Sequence, residues 1–489
     1  MKMMTRTARP ALIAFLASAG AILPSVATGA DFTTSCNETA DREFNDGLTL
    51  LHNMMYIQAE AAFGAAADAD PDCAMAEWGV AMSNFHPLWP GTPTAAETER
   101  GIAAAEKLAT LKPGTPLEAA LIAAVEAFYS PHHDGYQARL SAWGNAQMDA
   151  AADHPDDIDA AALGALAGIA LAPRGPGRLD VLADIGTTLD ALHQIDPSHP
   201  GVIHYAIHAF DNPPLKARGT PYAELYDKTA PTAPHALHMP SHIFTRTGDW
   251  ETSIDLNSRS AEAALAQSTD VVQTHYAHAI DYMVYGHLQR GERDEAQRLV
   301  DEMLAIDNHQ ASFGGAYALA ASPVRLLLES EDWEAAARMS TDLHDAIPWE
   351  NFPQTVAMVW FAKGLGAARA GHIDDAKAAV EELAQLRGAM KERQQGYWEQ
   401  LSETQILTIE AWIELAQGNE DLALTHQTAA ADLEDQIGKS PVTPGHVLPA
   451  RELLGDMLMK LGRTDEALTA YRATLAHSPN RARSLTAIK

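Results

Sequence analysis

Histidines set at helix-turn intervals beside aspartates are the chemically suggestive pattern in this 489-residue chain. The first group is His204-Tyr205-Ala206-Ile207-His208, followed by Asp211; the second is His235-Ala236-Leu237-His238-Met239-Pro240-Ser241-His242; the third is His275, His278 and Asp281, spaced by threes. Eight of the 21 histidines lie between His204 and His287, far denser than an even spread.

Residues four apart on a helix share a face, so His204 and His208 can aim their imidazoles at one point, with Asp211 still on that face. His238 and His242 repeat the interval with Pro240 between them, which predicts a helix starting near Met239 with Pro240 in its first turn. The expected metal ligands are His204, His208, His238, His242, His275 and His278. Imidazole nitrogen beside carboxylate oxygen suits copper, zinc or iron, and also nickel or manganese, and neighbouring aspartates would fix the ring tautomers. With one coordination position open, such an ion acidifies a water or polarises a carbonyl. In that chemistry Asp211 or Asp281 is the expected proton acceptor, while Tyr205 and Tyr276, with Tyr282 and Tyr285 nearby, are the expected hydrogen-bonding or redox side chains. His52 and His86 are further histidines that could reach the same cavity. The competing reading makes each histidine a hydrogen-bonded core residue and the chain a peptide- or protein-binding scaffold. The expected partner is therefore a small-molecule substrate or a peptide ligand.

Helices must position these side chains. Hydrophobic residues make up 47 % of the chain, alanine runs are frequent and β-branched clusters are scarce, which favours an all-α fold. From Ala40 the spacing follows a 34-residue template, with Gly47 at position 8, Ala59 at 20, Phe63 at 24, Ala66 at 27 and Pro71 at 32. This pattern resembles the tetratricopeptide repeat. It returns around Gly248 and Trp250, around Gly291 and Ala296, around Gly364, Gly371 and Ala376, and around Gly418 and Ala423; a weaker copy surrounds Trp333 and Ala336. The closing copy is the best, with Gly455, Leu458, Gly462, Ala467, Tyr471 and Pro479. Each hairpin leaves an apolar face for its neighbour, so residues 31–489 are expected to stack into one right-handed superhelix with a concave inner surface. Its histidine-rich part spans 199–290 and its last repeats span 357–489. Interruptions are expected at Gly79–Pro116, at Ala172–Arg178 and at Pro213–Pro234, where prolines and glycines gather. Pro441–Pro449, with Arg451, reads as a cap on the last repeat.

Residues 1–30 carry Lys2, Arg6 and Arg9, then an apolar run, then Thr28-Gly29-Ala30, the layout of a secretory signal peptide. Export to a periplasmic or secreted location is the expectation, with no membrane span after cleavage. The formal charge of −31 repels nucleic acid and anionic membranes. Cys36 and Cys73 are the only cysteines, and an oxidising compartment makes a disulfide between them plausible. Phosphate loops, dinucleotide fingerprints, nucleophile elbows and paired-cysteine zinc motifs are missing from the sequence.

The stretches Pro234–Phe244 (PHALHMPSHIF), Asp70–Gly79, Pro441–Gly445 and Pro449–Leu454 resemble a group of exported bacterial tetratricopeptide-repeat proteins. The resemblance spans nearly the whole chain after residue 30. It implies the helical-repeat fold and supplies no reaction.

Overall fold

A computed structural model describes residues 29–489 apart from Pro90 and Pro176. The expected leader, residues 1–30, lies outside the described residues except for its last two. The described residues form helices from Glu38–His52 to Ala482–Ala487, and among them the one extended pairing is an isolated bridge between Val272 and His309.

The repeat spacing works through close helix contact. A Cβ on Gly47 would stand 2.7 Å from the Phe63 ring, and one on Gly455 would stand 2.6 Å from the Tyr471 ring. In both hairpins, therefore, the same glycine–aromatic pair lets the two helices nest, while Ala59, Ala66 and Ala467 are fully buried beside them. Successive helices pack on their neighbours, as Glu38–His52 does on Tyr56–Ala69 and Ala450–Lys460 on Thr464–His477. The apolar interior divides accordingly into a large cluster running from Ala30 to Ile243, one from Ala261 to Ile347, one from Phe313 to Met457 and a small one from Ala430 to Tyr471. Cys36 and Cys73 form a disulfide that ties the start of the first helix to the turn before Ala74–Met82. Closing that loop stabilises the fold by about 4 kcal/mol on the chain-entropy account.

Two interruptions differ from expectation. Ala95–Leu108 is a helix opened by a Thr94/Glu97 capping box, so within Gly79–Pro116 the interruption is split into a stretch before Ala95 and a shorter one from Ala109 to Thr115. Pro213–Pro234 contains the helix Lys216–Thr229 with Pro221 inside it. The proline signal was outweighed because Tyr222, Ala223 and Tyr226, one helical turn apart, are buried together.

The array also turns back on itself. The N-terminal helix Glu38–His52 packs on Pro200–Phe210, and the C-terminal helix Ala482–Ala487 packs on Thr274–Gln289. Trp250 donates its indole N–H to the Asn480 carbonyl at 3.0 Å. The segment between Gly438 and Pro449 reaches the middle of the molecule: Tyr282 donates to the Pro441 carbonyl, and Arg325 donates to Thr443 Oγ1 and to the Gly445 and His446 carbonyls. It therefore packs against the central helices. Arg451 lies away from the centre, paired with Asp432 and Asp435. No helix among the described residues is long and apolar enough to cross a membrane.

Candidate metal centre

Four helices carry the central histidines. Pro200–Phe210 starts with proline, and His199 caps it by accepting the Val202 N–H on its own Nδ1. Pro234–His238 and Pro240–Thr247 meet at Met239, which keeps helical angles, so His238 and His242 stay on one face although Pro240 has no N–H to give. Pro240 is in the first turn of its helix as the sequence predicts, and His238 ends a short helix of its own. Gly248, with φ of 74°, stops the second of these in the left-handed region. Thr274–Gln289 supplies the third group.

These helices gather the rings into two triads, His204–His208–His235 and His238–His242–His278, each with one ring nitrogen per residue within 4.8 Å of the others. In the first, His208 Nε2 and His235 Nε2 lie 3.1 and 3.2 Å from His204 Nε2. In the second, His238 Nε2 and His242 Nε2 are 3.0 Å apart.

The tautomers of three rings follow from what their other nitrogens touch. His204 Nδ1 donates to the His52 carbonyl at 2.6 Å, so its Nε2 carries a lone pair. His238 Nδ1 donates at 2.6 Å to Asn257 Oδ1, an amide held in that orientation because Asn257 Nδ2 donates to the Ser253 carbonyl. His242 Nδ1 donates to Asp211 Oδ2 at 3.0 Å. The Nε2 lone pairs of His238 and His242 therefore face each other, and His204 turns one lone pair toward two neighbouring ring nitrogens. A proton can relieve such a contact, yet burial opposes it. Burial, followed by the neighbouring imidazoles, lowers His204 to about 3; burial, with His242 and His275 nearby, lowers His278 to about 3; His208, His235 and His238 are held well below the ordinary histidine value for the same reasons. His278 Nδ1 is buried without a hydrogen-bond partner.

Nitrogens 3.0 to 3.2 Å apart that each bind one ion at about 2.0 Å subtend angles of roughly 97° to 106°, near tetrahedral. His208 and His278 are half-buried while the other four are buried, so each triad contains one partly exposed residue.

Asp211 stands at the end of Pro200–Phe210 with both oxygens occupied. Besides His242 it accepts from Arg246 Nε at 2.8 Å and from Lys439 Nζ at 3.4 Å. Burial raises its pKa, and Lys439, Arg246 and His242 together outweigh that and hold it well below the usual carboxylate range. It is placed to orient a ligand rather than to take up a proton.

The other expected site residues lie elsewhere. His275 belongs to neither triad; its ring is 5.5 Å from His235 and edge-on to Trp89 at 5.7 Å. Asp281 faces away from the imidazoles because Arg325 draws it off, with Nε to Oδ1 at 2.8 Å, and Ser322 shares the oxygen. Tyr276 stacks toward His309. Tyr205 hydrogen-bonds His52 Nδ1 at 3.0 Å and touches the first triad only through its ring, 5.5 Å from that of His204. Tyr282 lies nearest the second triad, its hydroxyl 3.4 Å from His242 Nε2. His86 packs on Tyr56 and Trp89 at the rim.

His235 is the ligand candidate that spacing did not single out. It is three residues from His238, yet it joins the triad of the preceding helix. A third group, His52–Asp159–His199, is closed: Asp159 Oδ1 accepts from both imidazoles at 2.9 and 3.0 Å, and the remaining nitrogens accept from Tyr205 and Val202. Gly201 lets it form, since a Cβ there would strike the His52 ring. This network fixes His52, whose carbonyl in turn orients His204.

No family model matches the chain, and no curated protein does. Among solved structures, the chain is similar to the human IFIT1 dimer with PPP-AAAA, at 11 % identity and a TM-score of 0.41 over 93 % of this chain and 95 % of that one. It is also similar to the Rap protein complexed with competence and sporulation factor, at 13 % identity and a TM-score of 0.40 over 92 % and 100 % of the two chains. A third, the APC/C hetero-tetramer Cut9–Hcn1, is matched at 13 % identity and a TM-score of 0.31 over 92 % and 89 %.

Proposed function

We propose that this is an exported helical-repeat protein whose central histidines hold transition-metal ions, for metal binding or for metal-assisted chemistry on a small molecule. One observation carries the reading: two imidazoles, each with its proton fixed on Nδ1 by Asn257 or Asp211, turn their Nε2 lone pairs on each other at 3.0 Å inside the protein. The Tyr282 hydroxyl, 3.4 Å from His242 Nε2, has one hydrogen and donates it to the Pro441 carbonyl, so without a shared cation or proton the contact between the two lone pairs is repulsive and costs free energy. A metal ion converts it into two bonds and uses the partnerless His278 as a third ligand. The orienting set supports it, since a carboxylate, an amide and a backbone carbonyl each hold a ligand's distal nitrogen. Export is supported by the leader-like N-terminus and by the Cys36–Cys73 disulfide.

Elemental analysis of protein expressed with residues 1–30 in place is the test. At least one equivalent of transition metal per chain is expected, directly or after reconstitution, and His208→Ala and His242→Ala should each reduce it. Less than about a tenth of an equivalent after reconstitution, against tetrahedral sites of this kind, overturns the proposal.

A further inference from the structure

Resting on the metal-site reading above, we infer that the two triads form a single binuclear copper centre whose exogenous ligand is dioxygen. The triads are adjacent. His235 and His238 lie one helical turn apart with ring centroids 6.2 Å from each other, and across the helices His208 and His242 are 6.4 Å apart. His204 and His208 of one triad sit on the same helix whose last turn leads to Asp211, which orients His242 of the other. A ring centroid lies about 3 Å from an ion bound at its nitrogen, so rings this close allow two ions to sit within reach of one small bridging ligand, as in paired-metal sites.

The donor set selects the metal. Six imidazoles and no carboxylate make up the triads. Asp211 has both oxygens occupied and Asp281 is committed to Arg325, so neither is free to bridge two ions or to serve as base for a metal-bound water. That composition disfavours a hydrolytic zinc pair and an oxygen-rich iron pair, while imidazole nitrogen binds copper most strongly of the divalent series. Charge points the same way. Six neutral imidazoles offset none of the charge of two divalent ions, and Asp211 is already neutralised by the Arg246 guanidinium beside it. A buried pair of that charge needs an anion between its members, whereas two cuprous ions carry half the charge. Dioxygen supplies the anion from a neutral precursor: each cuprous ion gives one electron, the two become cupric, and O2 becomes a bridging peroxide dianion with no proton transferred. Releasing O2 returns both electrons. His208 and His278 are the two ligand candidates that keep some exposure, and the half-buried Trp89 stands against His235 and His275.

The experiment is anaerobic titration of the metal-free full-length protein with Cu(I), followed by oxygen, with near-ultraviolet absorption and electron paramagnetic resonance read on one sample. Two equivalents of Cu(I), a ligand-to-copper charge-transfer band on adding O2 that fades under vacuum, and a spin count far below the copper content are expected, because coupled cupric ions cancel each other's magnetism. His208→Asn and His278→Asn, with unchanged helical circular dichroism, should each bind one equivalent and lose the band. Two equivalents that oxidise to give the full, uncoupled spin count would overturn the binuclear pair and leave the metal sites standing. Copper that stays cuprous in air overturns the dioxygen step alone, and binding of zinc with no copper overturns the metal assignment. Failure to bind any metal would remove the reading on which the inference rests.

Discussion

Replacing Asp211 by asparagine tests the orienting role directly. The carboxylate accepts from three donors, His242 Nδ1, Arg246 Nε and Lys439 Nζ. Asparagine offers one acceptor oxygen, and its amide N–H2 must then face one of those donors. His242 thereby loses the acceptor that fixes its proton on Nδ1, and the Nε2 lone pair is no longer assured. Losing such an outer partner costs about 10- to 100-fold in metal affinity, or roughly 1.4 to 2.7 kcal/mol. We expect the upper end, because two cations also lose their counter-ion in a buried site. The loss should fall on the His238–His242–His278 site alone, since His204 is oriented by the His52 carbonyl, which Asp211 does not touch. Competition against a coloured Cu(I) chelator separates the two binding steps, with helical circular dichroism as the control for folding. Asn257→Ala, which removes an uncharged acceptor from His238, should weaken the same step by about tenfold. A weak-step constant within about threefold of the parent for Asp211→Asn, well inside the expected range, would refute the argument, as would equal weakening of both steps.

Two further outcomes follow from buried charge. Arg325→Met leaves Asp281 buried and unpaired and frees the carbonyls of Gly445 and His446, so stability should fall by about 3 to 5 kcal/mol and limited proteolysis should cut within residues 438–449; Arg325→Met with Asp281→Leu should recover most of the stability, and an undiminished loss in the double variant would show that the carbonyl contacts dominate. Glu434 is pushed up to about 8 by burial, so the folded state keeps a proton that the unfolded chain releases near the ordinary glutamate value of about 4.5; the stability this proton confers is complete below about pH 4.5 and is lost as pH rises through about 8. Glu434→Gln should flatten that decline in denaturant titrations between pH 5 and pH 8, and an unchanged slope would contradict the raised value.

The repeat was legible because its signals are local. Gly47 with Phe63 and Gly455 with Tyr471 sit at one fixed interval, and the contact each makes is within a hairpin. The paired histidines were legible for the same reason, since four residues on a helix fix a common face. What spacing could not give was which rings meet across helices. His235 and His238 are neighbours in sequence, yet a rotation of one turn sends them to different triads. His275 and His278 also part, His278 joining a triad and His275 none. Asp281 had the interval of a ligand but was claimed by Arg325, a residue 44 positions later, and no local pattern announces such a partner. Pro221 gave a breaker signal that buried tyrosines overrode.

Lys439 reaches Asp211 across 228 residues, and Asn480 reaches Trp250 across 230. Hairpins that need only their neighbours form early, whereas contacts that span half the polypeptide close last. Shortening the chain to end before Lys439 would thus leave the earlier hairpins intact while Asp211 lost Lys439 and Tyr282 lost the Pro441 carbonyl, and an ion captured by such a chain would meet an incompletely held His242. On the metal-site proposal, a fully oriented second triad then waits on the arrival of the tail.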